Sequence, residues 1–114
     1  MTEYLIYFNQ QWVGDHTEEW FRGRGPLAMA VVAEMKAAGV YVFGGGIDED
    51  VPPVLVSADG TVAMGGYPWA PTLDGGFTVL ELPSRDEAIA WAARIAKACR
   101  CDQELRVFGF DPHS

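Results

Sequence analysis

The sequence predicts a single α+β domain, and three observations point to it. Two segments, Glu3 to Phe8 and Phe77 to Leu82, are apolar on both alternating faces, as strands in the middle of a sheet are. Two others carry helix start and stop signals. Between them a Pro-Pro and an Asp-Gly punctuate a hairpin. At 114 residues the chain has room for one core and not for two, so residues 1–114 form one domain with one site or interface expected.

The first strand sets Tyr4, Ile6 and Phe8 against Leu5 and Tyr7. From Asn9 to Pro26 turn formers mix with Trp12, His16, Trp20 and Phe21, and Thr17 or Asp15 caps a short helical turn through Glu18 and Glu19. Gly23 and the Gly25-Pro26 pair interrupt that turn. The main helix is expected from Pro26, suited to a first helical position, to Ala38, with Gly39 as its stop. Leu27, Val31 and Met35 mark one stripe and Ala28 and Val32 a second, so burial on more than one side is expected.

Val40 to Phe43 is the next strand, again apolar on both faces, ending in Gly44-Gly45-Gly46. The triplet lacks phosphate-cradle spacing and runs into Asp48, Glu49 and Asp50, so a bulge or close backbone approach is the preferred reading. Pro52-Pro53 opens an edge strand, and Asp59-Gly60 predicts a type I′ turn between VLVSA and TVAM. After the strand Phe77 to Leu82, Ser84-Arg85-Asp86-Glu87 forms a capping box. The helix that follows runs to about Ala98, with Ala88, Trp91, Ala92, Ile95 and Cys99 on one face. A last strand is expected from Glu104 to Phe110.

Strand, helix, strand, hairpin, strand, helix, strand is the order of a ferredoxin-like βαβ(β)βαβ antiparallel sheet with two helices on one face. Two helices cover only one face. The central strands are apolar on both, so a homodimer packed through the sheets is expected.

Composition narrows the function classes. The net charge of −8, from 16 acidic and 8 basic residues, repels phosphate backbones and disfavours nucleic-acid binding. No apolar run approaches the ~20 residues of a membrane span, and no basic-then-apolar leader opens the chain, so a cytoplasmic protein without membrane association is expected. Cys99 and Cys101, with the distant His16 and His113, complete neither a disulfide framework nor a zinc ligand set. No metal or cofactor is implied.

The stretch Met64 to Phe77, MGGYPWAPTLDGGF, fits neither strand nor helix and is the site candidate. Tyr67 and Trp69 are read as lining an apolar pocket, or else plugging the core or a dimer seam. Trp12 and Trp20 attract the same two readings. A catalytic pair is drawn from His16 as general base, with Asp74 or Asp15 orienting its ring, and Arg22 or Arg24 holding an anionic substrate. The plainer reading makes His16 a loop residue and Asp74 a turn residue before Gly75-Gly76.

The run Glu34 to Val40 (EMKAAGV), Gly44 to Ile47, the Asp59-Gly60 hairpin, Gly75-Gly76-Phe77 and Ser84 to Ile95 (SRDEAIAWAARI) together resemble the YCII-related proteins, specifically the subgroup with an Asp-Gly-Pro-Phe motif. The resemblance spans Tyr4 to about Val107. It implies a dimeric ferredoxin-like protein of the dimeric α/β-barrel type. Most members of that family have no assigned role; some are cofactor-free lyase- or isomerase-like enzymes using a His-Asp pair, and some accompany sigma factors of the extracytoplasmic-function type. Here the motif acid falls near Met64-Gly65-Gly66-Tyr67 and the family histidine near Pro26 to Ala28, and neither is present. The expected function is therefore binding of a small apolar or aromatic molecule through Tyr67, Trp69, Trp20 and Arg22. The alternatives are a cofactor-free isomerase or lyase using His16 and Asp74, and a dimeric accessory or regulatory protein without a ligand.

Overall fold

A computed structural model of the chain describes residues 1–69, 73–110 and 112. The elements are β1 (Thr2–Phe8), a single 3-10 turn (Gln10–Trp12), α1 (Glu18–Ala37), β2 (Tyr41–Gly46), β3 (Val54–Val56), β4 (Val62–Met64), β5 (Gly76–Leu82), α2 (Arg85–Cys99) and β6 (Glu104–Val107). Four strands form an antiparallel sheet in the order β2-β5-β1-β6, and β3 and β4 pair in a separate two-stranded sheet. Of the strands that read as apolar on both faces, β1 and β5 are the central pair, whereas β2 lies at the edge of the sheet. Among the described residues no helix is long and apolar enough to cross a membrane.

Both helices pack on the same side of the sheet. Tyr4, Ile6, Leu80 and Leu82 form one buried cluster with Met35 of α1 and Ala88, Ile95 and Cys99 of α2. The period of two then sends Leu5 and Tyr7 of β1, and Phe77 and Val79 of β5, to the opposite side. There Phe43 lies 5.6 Å from Phe77, ring centre to ring centre. Tyr7 donates its hydroxyl proton to Glu104 across the pairing of β1 with β6.

Four expectations need correction. Helix α1 does not begin at Pro26: it starts eight residues earlier, capped by Thr17, whose hydroxyl accepts from the Trp20 amide at 3.2 Å. Gly23, Gly25 and Pro26 all lie within it. Packing of Trp20, Phe21 and Arg24 against one another holds the extra turns and overrides the weak local propensity.

Nor is α1 buried on more than one side. Met35 alone is fully buried, Ala28, Val31 and Val32 are half-buried, and Leu27 is exposed. The helix stands over the sheet on one flank and borders an open cleft. Its end is as expected, with Gly39 at φ +75°.

The hairpin loop is not the two-residue type I′ turn, because Asp59 does not take a positive φ; only Gly60 does, at +89°. The Gly60 amide donates to Ser57 and the Ser57 amide to the Thr61 carbonyl, closing a three-residue loop with glycine in the left-handed position. Asp59 caps it by accepting from the Thr61 amide at 2.9 Å, and that bond holds its carboxyl below the usual range. The last strand stops at Val107, short of the expected Phe110; its pairing with β1 ends at Tyr4 opposite Val107, followed by one more bond from the Phe108 amide to the Glu3 carbonyl at 3.0 Å.

The glycine triplet is strand, not loop. It forms the second half of β2, and the bulge predicted for it lies just before, between Tyr41 and Phe43. A Cβ on Gly44 would stand 3.0 Å from the Phe77 carbonyl, the close approach that the sequence suggested.

Candidate functional site

Small side chains on α1 face the glycine half of β2, and an open cleft lies between them. Ala28 and Val32 line it from the helix, and Gly44, Gly45 and Gly46 from β2. Phe8, Tyr41 and Ile95 add apolar surface, giving an open cleft of about 840 Å³. Clefts of several hundred cubic ångströms with mainly apolar walls and a few polar groups are the usual form of small-molecule sites. Gly75 and Gly76 close one end. Gly75 sits at φ +81°, and a Cβ there would stand 2.3 Å from the Phe8 carbonyl, so this end of the wall requires glycine.

Arg24 supplies the most firmly placed polar group of the cleft. Its guanidinium donates to the Cys99 carbonyl at 3.3 Å and to Gln10 Oε1 at 3.4 Å. It also lies 5.6, 5.7 and 5.1 Å from the ring centres of Phe8, Trp20 and Phe21. The Cys99 carbonyl ends α2, where the helix dipole is negative, which favours a cation there. Among the described residues no carboxylate lies within salt-bridge distance of Arg24; the ion pairs join Arg22 to Glu18, Arg94 to Glu34 and Arg106 to Glu104. Lys36 lines the cleft farther along α1, exposed, with its ammonium 5.1 Å from the Tyr41 ring centre.

Asp48, Glu49 and Asp50 form an acidic rim. Asp48 Oδ1 accepts the Asp50 amide at 3.0 Å, which shapes the turn after β2. Cys99, at the inner wall, is buried, and burial pushes its thiol above the ordinary range against the opposing pull of Arg24. Burial likewise raises Cys101. Neither thiol is set up as a nucleophile. Among the described residues no group of three or more His, Cys, Asp and Glu side chains could hold a metal ion.

Of the residues singled out from the sequence, Arg24 and the Gly75-Gly76-Phe77 end of the candidate stretch line this cleft, and the others fall around it. His16 is exposed, stacked on Trp20 with ring centres 3.6 Å apart, and its Nε2 is 2.8 Å from the Val13 carbonyl. Asp74 accepts the Gln10 amide at 2.8 Å. No hydrogen bond joins His16 to Asp74 among the described residues; each is engaged with a different stretch of backbone. Asp15 is exposed.

Tyr67 and Trp69 are 60% and 85% exposed and line no part of the cleft. Residues 70–72 of the same loop, and His113, lie outside the described residues. Arg22 points away and pairs with Glu18 at 3.6 Å. Of the two arginines considered as anion holders, Arg24 is the one in the cleft. Trp12 is exposed, with its ring 5.9 Å from that of Tyr7.

Two of these residues still serve the site at one remove. Asp74 fixes the backbone of Gln10, and Gln10 accepts from Arg24; Trp20 presents its ring to the same guanidinium. They position the cation from behind. That these walls enclose a cleft was not read from the sequence, although a signal existed: Gly25, Ala28 and Val32 recur at helical spacing, and the strand that follows ends in three glycines. Two neighbouring elements that both lack bulk leave space between them.

No family model matches the chain, and no curated protein matches it.

Proposed function

We propose that this chain is a YCII-like protein that binds a small, largely apolar molecule in the cleft between α1 and the glycine half of β2. The observation that carries the reading is the cleft itself, about 840 Å³ with small or apolar walls and one pinned guanidinium. The strand order β2-β5-β1-β6 with both helices on one side supports a ferredoxin-like plan. The apolar opposite face, with Leu5, Tyr7, Phe43, Phe77 and Val79, supports pairing of two copies through their sheets.

The engagement of His16 and Asp74 with separate backbone partners speaks against proton transfer between them. Binding without the family's His-Asp chemistry is the reading preferred here.

Thermal-shift titration of the full chain with a panel of small aromatic and aliphatic molecules tests this. A ligand of the folded state raises the unfolding midpoint with concentration. Gly25→Leu is the matching variant: a Cβ at Gly25 meets nothing within 4 Å, so the new side chain fills cleft space on a helix that tolerates leucine. It is expected to abolish the shift. A midpoint that no compound moves would instead favour an accessory protein without a ligand.

A further inference from the structure

The chemistry of the cleft also restricts what it takes. We infer, resting on the proposal that the cleft holds a ligand, that the ligand is a flat apolar carboxylate with a single negative charge, its carboxylate paired with Arg24.

The sign of the charge follows from Arg24. The guanidinium is half-buried and permanently charged, and its hydrogen-bond partners are two neutral oxygens. The C-terminal end of α2 contributes only about half a negative charge. The remaining donors of the fork match a carboxylate, which is the group that guanidinium recognises most directly. Three aromatic rings and the Gln10 side chain hold the fork in place before any ligand arrives, so little ordering cost remains at binding.

The number of charges follows from the rim. Asp48, Glu49 and Asp50 border the same cleft on a chain of net charge −8. Their field opposes dianions such as phosphate esters and dicarboxylates, while one inner guanidinium compensates one carboxylate. Lys36 also lines the cleft, twelve residues and roughly 18 Å along the helix from Arg24, where three rim carboxylates outnumber its single charge.

The shape follows from the walls. Gly44, Gly45 and Gly46 offer peptide surface without side chains, and Ala28 and Val32 face them with little bulk. A planar ring fits such a slot, with Phe8 at the Arg24 end.

Isothermal titration of the full chain with naphthoate, neutral naphthamide, naphthalene dicarboxylate and naphthylmethylammonium tests the inference without any variant. Naphthoate is expected to bind about tenfold or more tightly than naphthamide, as a charge-assisted pair would give, and the dicarboxylate and the ammonium more weakly than naphthoate. Arg24→Gln, with its fold checked by circular dichroism, is expected to bring the acid-to-amide ratio close to one. Arg22→Gln removes the same charge outside the cleft and is expected to keep the ratio. Equal binding of acid and amide would overturn the carboxylate inference while leaving an apolar site intact. Tighter binding of the dicarboxylate would overturn the single-charge limit. Failure of all four probes to bind would overturn the cleft as a ligand site, and this inference with it.

Discussion

The two faces of the four-stranded sheet are made by adjacent residues of the same strands, yet they end in different surroundings. On the helix side Ile6 and Leu80 are fully buried; on the other, their neighbours Leu5 and Val79 are half-buried with no helix above them. Both sets are equally apolar. The difference teaches that alternation in a strand reports how apolar each face is and not what lies on it. Two helices suffice for one face, and neither covers the second.

That contrast has a direct test in β1. Ile6→Ala should cost about 2–5 kcal/mol, because it opens a cavity inside a close-packed cluster. Leu5→Ala should cost about 1 kcal/mol in dilute solution. Urea unfolding at widely separated protein concentrations sharpens the comparison. If two copies pair through the open face, the Leu5 cost grows with concentration, since dimer stability depends on mass action, whereas the Ile6 cost stays nearly constant. Equal costs for both variants at the lowest concentration would break the distinction between the faces.

Gly75→Ala comes next, at about 1–3 kcal/mol or more, since alanine at φ +81° is strained and its Cβ meets the Phe8 carbonyl. This residue stands at the turn into β5, where the covered face ends and the cleft begins. Denaturant melts read the loss, and an unchanged midpoint would mean that the wall does not depend on the glycine.

Gly25→Ala is its opposite within the same cleft. It lies inside α1 with open space at its Cβ, so alanine should stabilise the chain by about 0.4–1 kcal/mol, chiefly by restricting the unfolded state. Two glycines of one cavity are thus expected to respond with opposite signs.

The smallest effect concerns pH and belongs to the covered face. Burial raises the Cys99 thiol, so the folded state favours the neutral form. Its contribution to stability is complete below the ordinary thiol range and is lost as the pH rises through the raised value. In native protein at mildly alkaline pH, Cys99 should react with iodoacetamide more slowly than in urea. Equal rates would place the thiol outside the cluster.

Much of the frame was legible in residues. β1 and β5 were read as central from their two apolar faces, Ser84 was read as the start of α2 and accepts the Glu87 amide at 3.2 Å, and Gly39 was read as the stop of α1. What was missed has a common cause. Gly23, Gly25 and Pro26 are poor helix residues locally, but Trp20, Phe21 and Arg24 find partners in one another and around Phe8, and those contacts join distant parts of the chain. The site suffered in the same way. Tyr67 and Trp69 drew attention because they are large, whereas the cleft is defined by glycines and alanines, which carry no chemical signal of their own.

By itself, then, the sequence determined the α+β class, the central strands, the N-cap of α2 and the stop of α1, because these depend on alternation, a capping hydroxyl and glycine at positive φ, all of which act within a few residues. Only the tertiary structure decided that Arg24 and not Arg22 enters the cleft, that Asp74 serves Gln10 and not His16, and that three glycines face a helix of small side chains. These are juxtapositions of residues far apart in sequence. They arise from how α1 lies across the sheet, a packing relation that no local pattern encodes.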